Sequence, residues 1–408
     1  MTSHCYDIVD MHQWLSGWGE DGKTLPLVDL RSREEFDNCH LCSSVTIVNL
    51  PLSSLLSGER SCELPPRHVE FAILVPSQYA QTFLDGCFST IHQLFFASQS
   101  KSTLQSRKPW LVMQILIEEK SLWKDAGELG LIQRYDRRSS NRDGTFPFQS
   151  LPRLWKPDPL VSSVMFPLLK DWIMCRQPTM SSDSQTPING LVLDLGSGAG
   201  RDICYLAEEL KEFQQQQPQQ CMRSIHFVGI DNHKGSSKRC HPLWKNRGVD
   251  DVSDSLLLGL NKLHLVHDHL TDISKLQSQP VPQTTILCIF AIRFLNRKLL
   301  SYIAESRSSD EQSTIANPAS RIETSKNVHS PPPPLVLPLG TMLAISHFCK
   351  PDEGAQWNFD HPKESSVFER WELKTLFEGA KWQIITDTII PDGDHGRTLV
   401  QFVARKVA

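Results

Sequence analysis

The segment from Leu191 to Leu210 constrains this chain more than any other. Leu191-Val192-Leu193 reads as a buried strand, Asp194-Leu195-Gly196-Ser197-Gly198-Ala199-Gly200 as a tight turn, and Arg201 to Leu210 as the helix that follows. Strand, glycine turn and helix in that order belong to a parallel α/β sheet. The glycines let backbone approach a ligand where a Cβ would collide, and the helix N-terminus offers unpaired N–H groups to a carboxylate. Two phosphate-binding fingerprints do not fit. A dinucleotide motif needs glycine where Arg201 stands, and a P-loop needs Gly-Lys-Ser/Thr.

The strands that follow end in acids. Ile225 to Ile230 runs into Asp231, whose carboxylate suits two ribose hydroxyls, with Asn232 behind it. Leu263 to His267 reads as a third strand ending in Asp268, an acceptor for an adenine amino group. A fourth, Thr285 to Phe290, continues into Ala291-Ile292-Arg293-Phe294-Leu295. The expected ligand contacts are therefore Asp194, Gly196, Ser197, Gly198, Gly200, Arg201, Asp231, Asn232, Asp268 and Phe290. Further strands are expected at Thr341 to Phe348, Gln383 to Ile390 and Thr398 to Ala404, the last two joined through Pro391 to Arg397 as an antiparallel pair.

Asp194 to Gly200 matches acidic-x-Gly-x-Gly-x-Gly, and from about Leu154 to Lys406 the chain resembles the class I S-adenosylmethionine-dependent methyltransferases. Gly198-Ala199-Gly200-Arg201-Asp202, Arg293-Phe294-Leu295-Asn296-Arg297, His347-Phe348, Glu372-Leu373 and Gly396-Arg397 resemble the TehB-like branch of that family. The resemblance implies an α/β, Rossmann-like sheet of seven strands, with S-adenosylmethionine across the strands' C-terminal edge. Pro338-Leu339-Gly340 departs from the Pro-Gly-Gly usual in the family, a change in a turn outside the cofactor site.

Methyl transfer from a sulfonium is an in-line displacement that needs alignment and exclusion of water, and a base only for poor nucleophiles. Phe290-Ala291-Ile292-Arg293 stands where enzymes acting on base amines or glutamine amides carry Asn/Asp-Pro-Pro-Tyr. A small molecule with a heteroatom nucleophile is the expected acceptor, ahead of RNA or protein. Arg293, His347, Trp357 and Phe359 are the candidate substrate contacts; for Arg293 a structural ion pair is the competing reading.

A chain of 408 residues exceeds what one core usually organises. Residues 1–105 read as a smaller α/β domain, 106–159 as a bridge, and 160–408 as the methyltransferase-like domain, interrupted by Gln214 to Gln220 and by a disordered insertion over about 306–334. In the first domain a helix over Tyr6 to Trp18, strands at Leu25 to Leu30, Val45 to Leu50 and Phe71 to Val75, and helix over Tyr79 to Phe96 are expected. Asp29-Leu30-Arg31, Glu34-Glu35-Phe36 and His40 resemble the rhodanese-like family. That family carries its persulfide on a cysteine in the loop after the next strand, where this chain has Val75-Pro76-Ser77-Gln78-Tyr79; Cys87 falls later, inside the expected helix. A domain without sulfur transfer, used for docking or substrate presentation, is the reading that follows, with a sulfurtransferase using a relocated thiol as its alternative.

A net charge of -4 sets up no global field for nucleic acid or anionic membrane. Eleven cysteines without a framework, and no signal-like N-terminus, point to reduced thiols in the cytosol or nucleus. No apolar run reaches the ~20 residues that span a bilayer. Cys39-His40-Leu41-Cys42 has zinc-knuckle spacing but no second ligand pair, and His264, His267 and His269 read as polar lining, so no metal is expected. Arg134, Arg137, Arg138 and Arg142 read as a solvated basic surface, with RNA contact the lesser reading. A protein partner at the first domain or at Pro331-Pro332-Pro333-Pro334, and a non-catalytic cofactor-binding adaptor, are the rival readings.

Overall fold

The computed structural model describes residues 6–17, 24–42, 44–84, 90–96, 109–133, 152–174, 189–217, 224–257, 284–308, 335–379, 381–394 and 396–408. The chain forms two compact units, Met1–Lys156 and Pro157–Ala408.

The first unit contains β1 (Asp7–Ile8), β2 (Leu27–Asp29), β3 (His40–Leu41), β4 (Ile47–Asn49), β5 (Phe71–Val75), β6 (Val112–Ile117) and β7 (Ile132–Gln133). Five of these form one sheet in the order β1-β6-β5-β2-β4, every neighbour parallel. β3 and β7 make a separate antiparallel pair. Parallel sheets need cover on both faces, and strand alternation supplies it. Val28, Leu30, Ile73, Val75 and Ile115 enter one core, while Leu27, Ala72, Leu74 and Leu116 enter the other.

Part of the segment expected to bridge over 106–159 belongs to the first unit's sheet. Its apolar run Val112–Ile117 lies inside this sheet, between β1 and β5, because a mostly buried strand needs partners on both sides. The helix expected over Tyr6 to Trp18 is only Met11–Leu15, opened by an Asp10/Gln13 capping box and preceded by edge strand β1. Of the helix expected over Tyr79 to Phe96, Ser77–Leu84 and Thr90–Phe95 are helical, and 85–89, with Cys87, lie outside the described residues. The Asp-x-Arg element is a buried ion pair: Arg31 Nη2 lies 2.6 Å from Asp29 Oδ2, and the guanidinium also donates to the Cys39 carbonyl and packs over Trp123.

The second unit adds β8 (Asn189–Leu195), β9 (Ser224–Asp231), β10 (Ser253–Leu257), β11 (Thr284–Ile292), β12 (Arg307–Ser308), β13 (Val336–Leu337), β14 (Met342–Phe348), β15 (Trp382–Asp394) and β16 (Arg397–Lys406). Seven lie in the order β10-β9-β8-β11-β14-β16-β15. Only β16 runs against the rest. The chain steps outward from β8 to β9 and β10, then returns to place β11 on the other side of β8. Such a reversal opens a crevice beyond the C-terminal ends of the two central strands.

Several boundaries differ from the sequence reading. The helix begun at Arg201 runs to Gln216, so Gln214 to Gln216 continue its last turn. Arg307–Ser308 pairs in parallel with Val336–Leu337, and the buried Ser306 carbonyl accepts from Lys406 Nζ at 2.5 Å. These tertiary contacts order the first residues of the expected 306–334 insertion; the others from 309 lie outside the described residues. Ser253–Leu257 pairs with β9 at the sheet edge, while the strand expected at Leu263 to His267, with Asp268, lies outside the described residues. So do Arg134, Arg137, Arg138 and Arg142. Among the described residues, no helix is long and apolar enough to cross a membrane.

Candidate active site

The turn after β8 is held open by three glycines at positive φ, 74° at Gly196, 56° at Gly198 and 70° at Gly200. Each does a different job. A Cβ at Gly196 would run into the Phe294 ring, and one at Gly200 would stand 2.7 Å from Trp244. Those two glycines let the loop after β11 and the helix Lys234–Asn246 pack onto the turn. At Gly198 a Cβ would meet nothing closer than the Gly196 carbonyl at 3.9 Å, so this glycine borders open space. Gly196 and Ser197 both donate to the Ile230 carbonyl, at 2.8 and 3.2 Å, and lock the turn to β9.

Asp231, at the end of β9, faces the same turn. Its Oδ2 accepts from the Gly198 N–H at 2.9 Å and its Oδ1 from the His233 N–H at 2.7 Å. A carboxylate offers about four lone-pair directions, so acceptor capacity remains for a ligand. Asn232 beside it is exposed. Asp194 is 3 % exposed at the end of β8. Burial, with the Asp202 and Asp231 carboxylates nearby, pushes it well above the usual carboxylate range. Asp202, in the first turn of the helix opened by Arg201, is raised to about 6, chiefly by burial. Gly200 caps that helix with no side-chain hydrogen bond, so its first N–H groups point toward the strand ends.

Other expected contacts turn away. The Ser197 hydroxyl is buried without a partner, and it sits where a Cβ on Gly229 would be, 2.8 Å off. Phe290 is fully buried within β11, where its backbone registers with Asp194.

Arg293 follows β11 in a left-handed conformation, φ 56°, which costs a non-glycine residue about 1–2 kcal/mol. Its N–H donates to the Ser346 carbonyl, and Nη1 donates to Ser346 Oγ, both at 2.8 Å. Nη1 also lies 3.2 Å from Asp158 Oδ2. Asp158 is the centre of this arrangement. It accepts from Ser346 Oγ at 2.9 Å and from the Leu160 N–H at 2.9 Å, and donates its own N–H to Asp202 at 3.0 Å. The structural ion pair is thus realised for Arg293, and its guanidinium still reaches over the Phe348 ring, 5.2 Å from the centroid.

Phe348 gathers the remaining candidates. Trp357 meets it edge-on at 6.2 Å, Phe359 lies tilted against Trp357 at 5.0 Å, and Arg397 covers it at 4.4 Å. His347 points elsewhere. It is 3 % exposed, and its Nε2 lies 2.9 Å from the Ser366 carbonyl, which fixes the proton on Nε2 and leaves Nδ1 bare. Burial lowers its pKa to about 4. It stays neutral and inward, so it is neither a base nor a substrate contact. Phe294, Trp244, Asp158, Asp202 and Ser346 were not among the expected site residues, and only the Gly198 to Asp202 and Arg293 to Arg297 motifs hinted at two of them. Among the described residues no group of three or more His, Cys, Asp or Glu is gathered as a metal site.

No family model and no curated protein matches this chain. Solved structures do. A SAM-dependent methyltransferase from Aquifex aeolicus is 16% identical over 61% of this chain and 93% of its own, with TM-score 0.30. TehB from Haemophilus influenzae is 15% identical over 54% and 58%, with TM-score 0.29. The [4+2]-cyclase SpnF is 12% identical over 54% and 76%, with TM-score 0.33. At such identities and superpositions these likenesses carry no argument about activity, and they include a cyclase beside methyltransferases.

Proposed function

We propose that the C-terminal unit transfers a methyl group from S-adenosylmethionine to a small molecule with a heteroatom nucleophile. The observation that carries this reading is the set of carboxylates at the switch point of the sheet. The Asp202 and Asp231 carboxylates add to the burial that raises Asp194, so a pyrophosphate would meet like charge in this crevice and a ligand bearing positive charge would not. A sulfonium nucleoside with an amino acid tail meets that requirement. Open space beside Gly198 and the spare acceptor sites of Asp231 suit its ribose.

When bound, that cofactor supplies an electrophilic methyl group. The chain's residues then orient and desolvate. Asp231 would hold hydroxyls, the turn at Gly198 would admit the ligand's backbone-hugging face, and Arg293, fixed by Asp158 and Ser346, would wall the acceptor side with Phe348 and Trp357. His347 supplies no strong base, since burial lowers its pKa to about 4 and its ring faces the Ser366 carbonyl. That suits a nucleophile already reactive without proton removal.

The test is methyl-labelled S-adenosylmethionine with the full chain and an extract fractionated into metabolites, RNA and protein. Label in the metabolite fraction is expected. Label only in RNA or protein would replace the acceptor class, and tight cofactor binding without any label would favour a cofactor-binding adaptor.

For the N-terminal unit we propose a rhodanese-like fold without sulfur transfer. Pro76 alone separates β5 from the helix Ser77–Leu84, and the Ser77 N–H is engaged by Glu118 at 3.0 Å. Among the described residues no thiol and no open loop stand there to cradle a persulfide. The full chain should form no thiocyanate from thiosulfate and cyanide; turnover would overturn this reading.

A further inference from the structure

An apolar cavity of about 350 Å³ lies in the C-terminal unit, away from the carboxylates. One wall is the helical segment through 160–174, which presents Val164, Leu168 and Trp172 at four-residue spacing, a single helix face. Leu287 and Met342 form the opposing wall. Gly190 lets the walls close: a Cβ there would collide with Leu287 and stand 3.0 Å from Trp172. The cavity belongs to the starting edge of the strands. Its lining runs from Cys288, which registers with Val192, to Ala344 on β14, two strands from Asp194 in the row of Phe290.

Two side chains in the lining are polar. Thr341 commits its hydroxyl to the Ile286 and Pro338 carbonyls, at 2.9 and 2.8 Å. Arg405 is exposed on β16 and has no ion pair or hydrogen bond from its guanidinium to any described residue. Among the described residues, no carboxylate lines the cavity. An apolar cavity with an exposed cationic side chain in its lining is complementary to an apolar chain ending in a negative group. About 350 Å³ lies within the range of small-molecule pockets.

We propose that this cavity binds a medium-chain monocarboxylate, its chain along Val164, Leu168 and Trp172 and its carboxylate on Arg405. The site is separate from the proposed cofactor crevice and does not depend on it. Isothermal titration of the full chain with dodecanoate below its micelle concentration tests it. Saturable binding is expected, at least tenfold weaker in Arg405→Gln, and far weaker for dodecyltrimethylammonium. Arg405 is exposed, so that variant folds. Val164→Trp fills the chamber and should abolish binding with an unchanged circular dichroism spectrum. Absence of saturable binding, equal binding by Arg405→Gln, equal binding of the ammonium amphiphile, or binding retained in a folded Val164→Trp would each overturn the proposal.

Discussion

The backbone N–H of Gly198 donates to the carboxylate of Asp231 across 2.9 Å, joining two residues 33 positions apart at the ends of adjacent parallel strands. The bond sets the glycine turn and the acid around one opening. It also makes Asp231 both part of the proposed ligand site and a brace for the turn that shapes it.

Asp231→Ala should therefore weaken S-adenosylhomocysteine by at least the roughly 1.5–3 kcal/mol of a charged hydrogen bond, about ten- to hundredfold in Kd. Asp231→Asn, which keeps an acceptor for Gly198, should fall between. Titration calorimetry reads both, and an unchanged Kd for the alanine variant would remove Asp231 from the site.

The three glycines should separate by readout. Gly200→Ala drives a Cβ into Trp244 from a left-handed backbone, so thermal stability should drop by about 1–3 kcal/mol. Gly198→Ala carries the backbone strain alone, about 1–2 kcal/mol, yet projects a methyl into the opening. Its larger effect should appear in cofactor affinity, and equal Tm losses with equal Kd would contradict this division.

Two buried groups give stability opposite pH slopes. His347 titrates near 4 when folded and 6.5 when unfolded, so its contribution is full above 6.5 and is lost as pH falls toward 4, by roughly 3 kcal/mol. Asp202 titrates near 6 folded and 3.8 unfolded, so its contribution is full below 3.8 and is lost as pH rises through 6, again by roughly 3 kcal/mol. Urea unfolding from pH 4 to 8 should show His347→Gln flattening the acid limb. Asp202→Asn, which still accepts from Asp158, should flatten the rise-with-acid component and stabilise the protein at pH 7 relative to wild type.

In the N-terminal unit, Arg31→Met strands Asp29, which is 1 % exposed, without its cation. Losing one partner of such a pair costs about 3–5 kcal/mol. Replacing both, in Asp29→Asn with Arg31→Met, should cost less than the single change. An early unfolding transition in urea would report it, and a single variant as stable as wild type would count against the buried pair.

What the sequence by itself determined was local and periodic. Leu191 to Leu210 showed strand, turn and helix because each depends on neighbours within a few residues, and Ile225 to Asp231 and Thr285 to Phe290 showed their strands for the same reason. Val112 to Ile117 carries an equally apolar run, yet its place inside the first sheet was hidden, because pairing with β1 and β5 is not written in spacing. Tertiary structure alone decided that Asp158 meets Ser346, 188 residues away, and that neighbouring Ser346 and His347 face opposite ways, one to Arg293 and the other to the Ser366 carbonyl. A side chain's type announces what it can bond. Which partner it finds depends on strand order and pleat, and those are settled only when distant apolar faces bury one another.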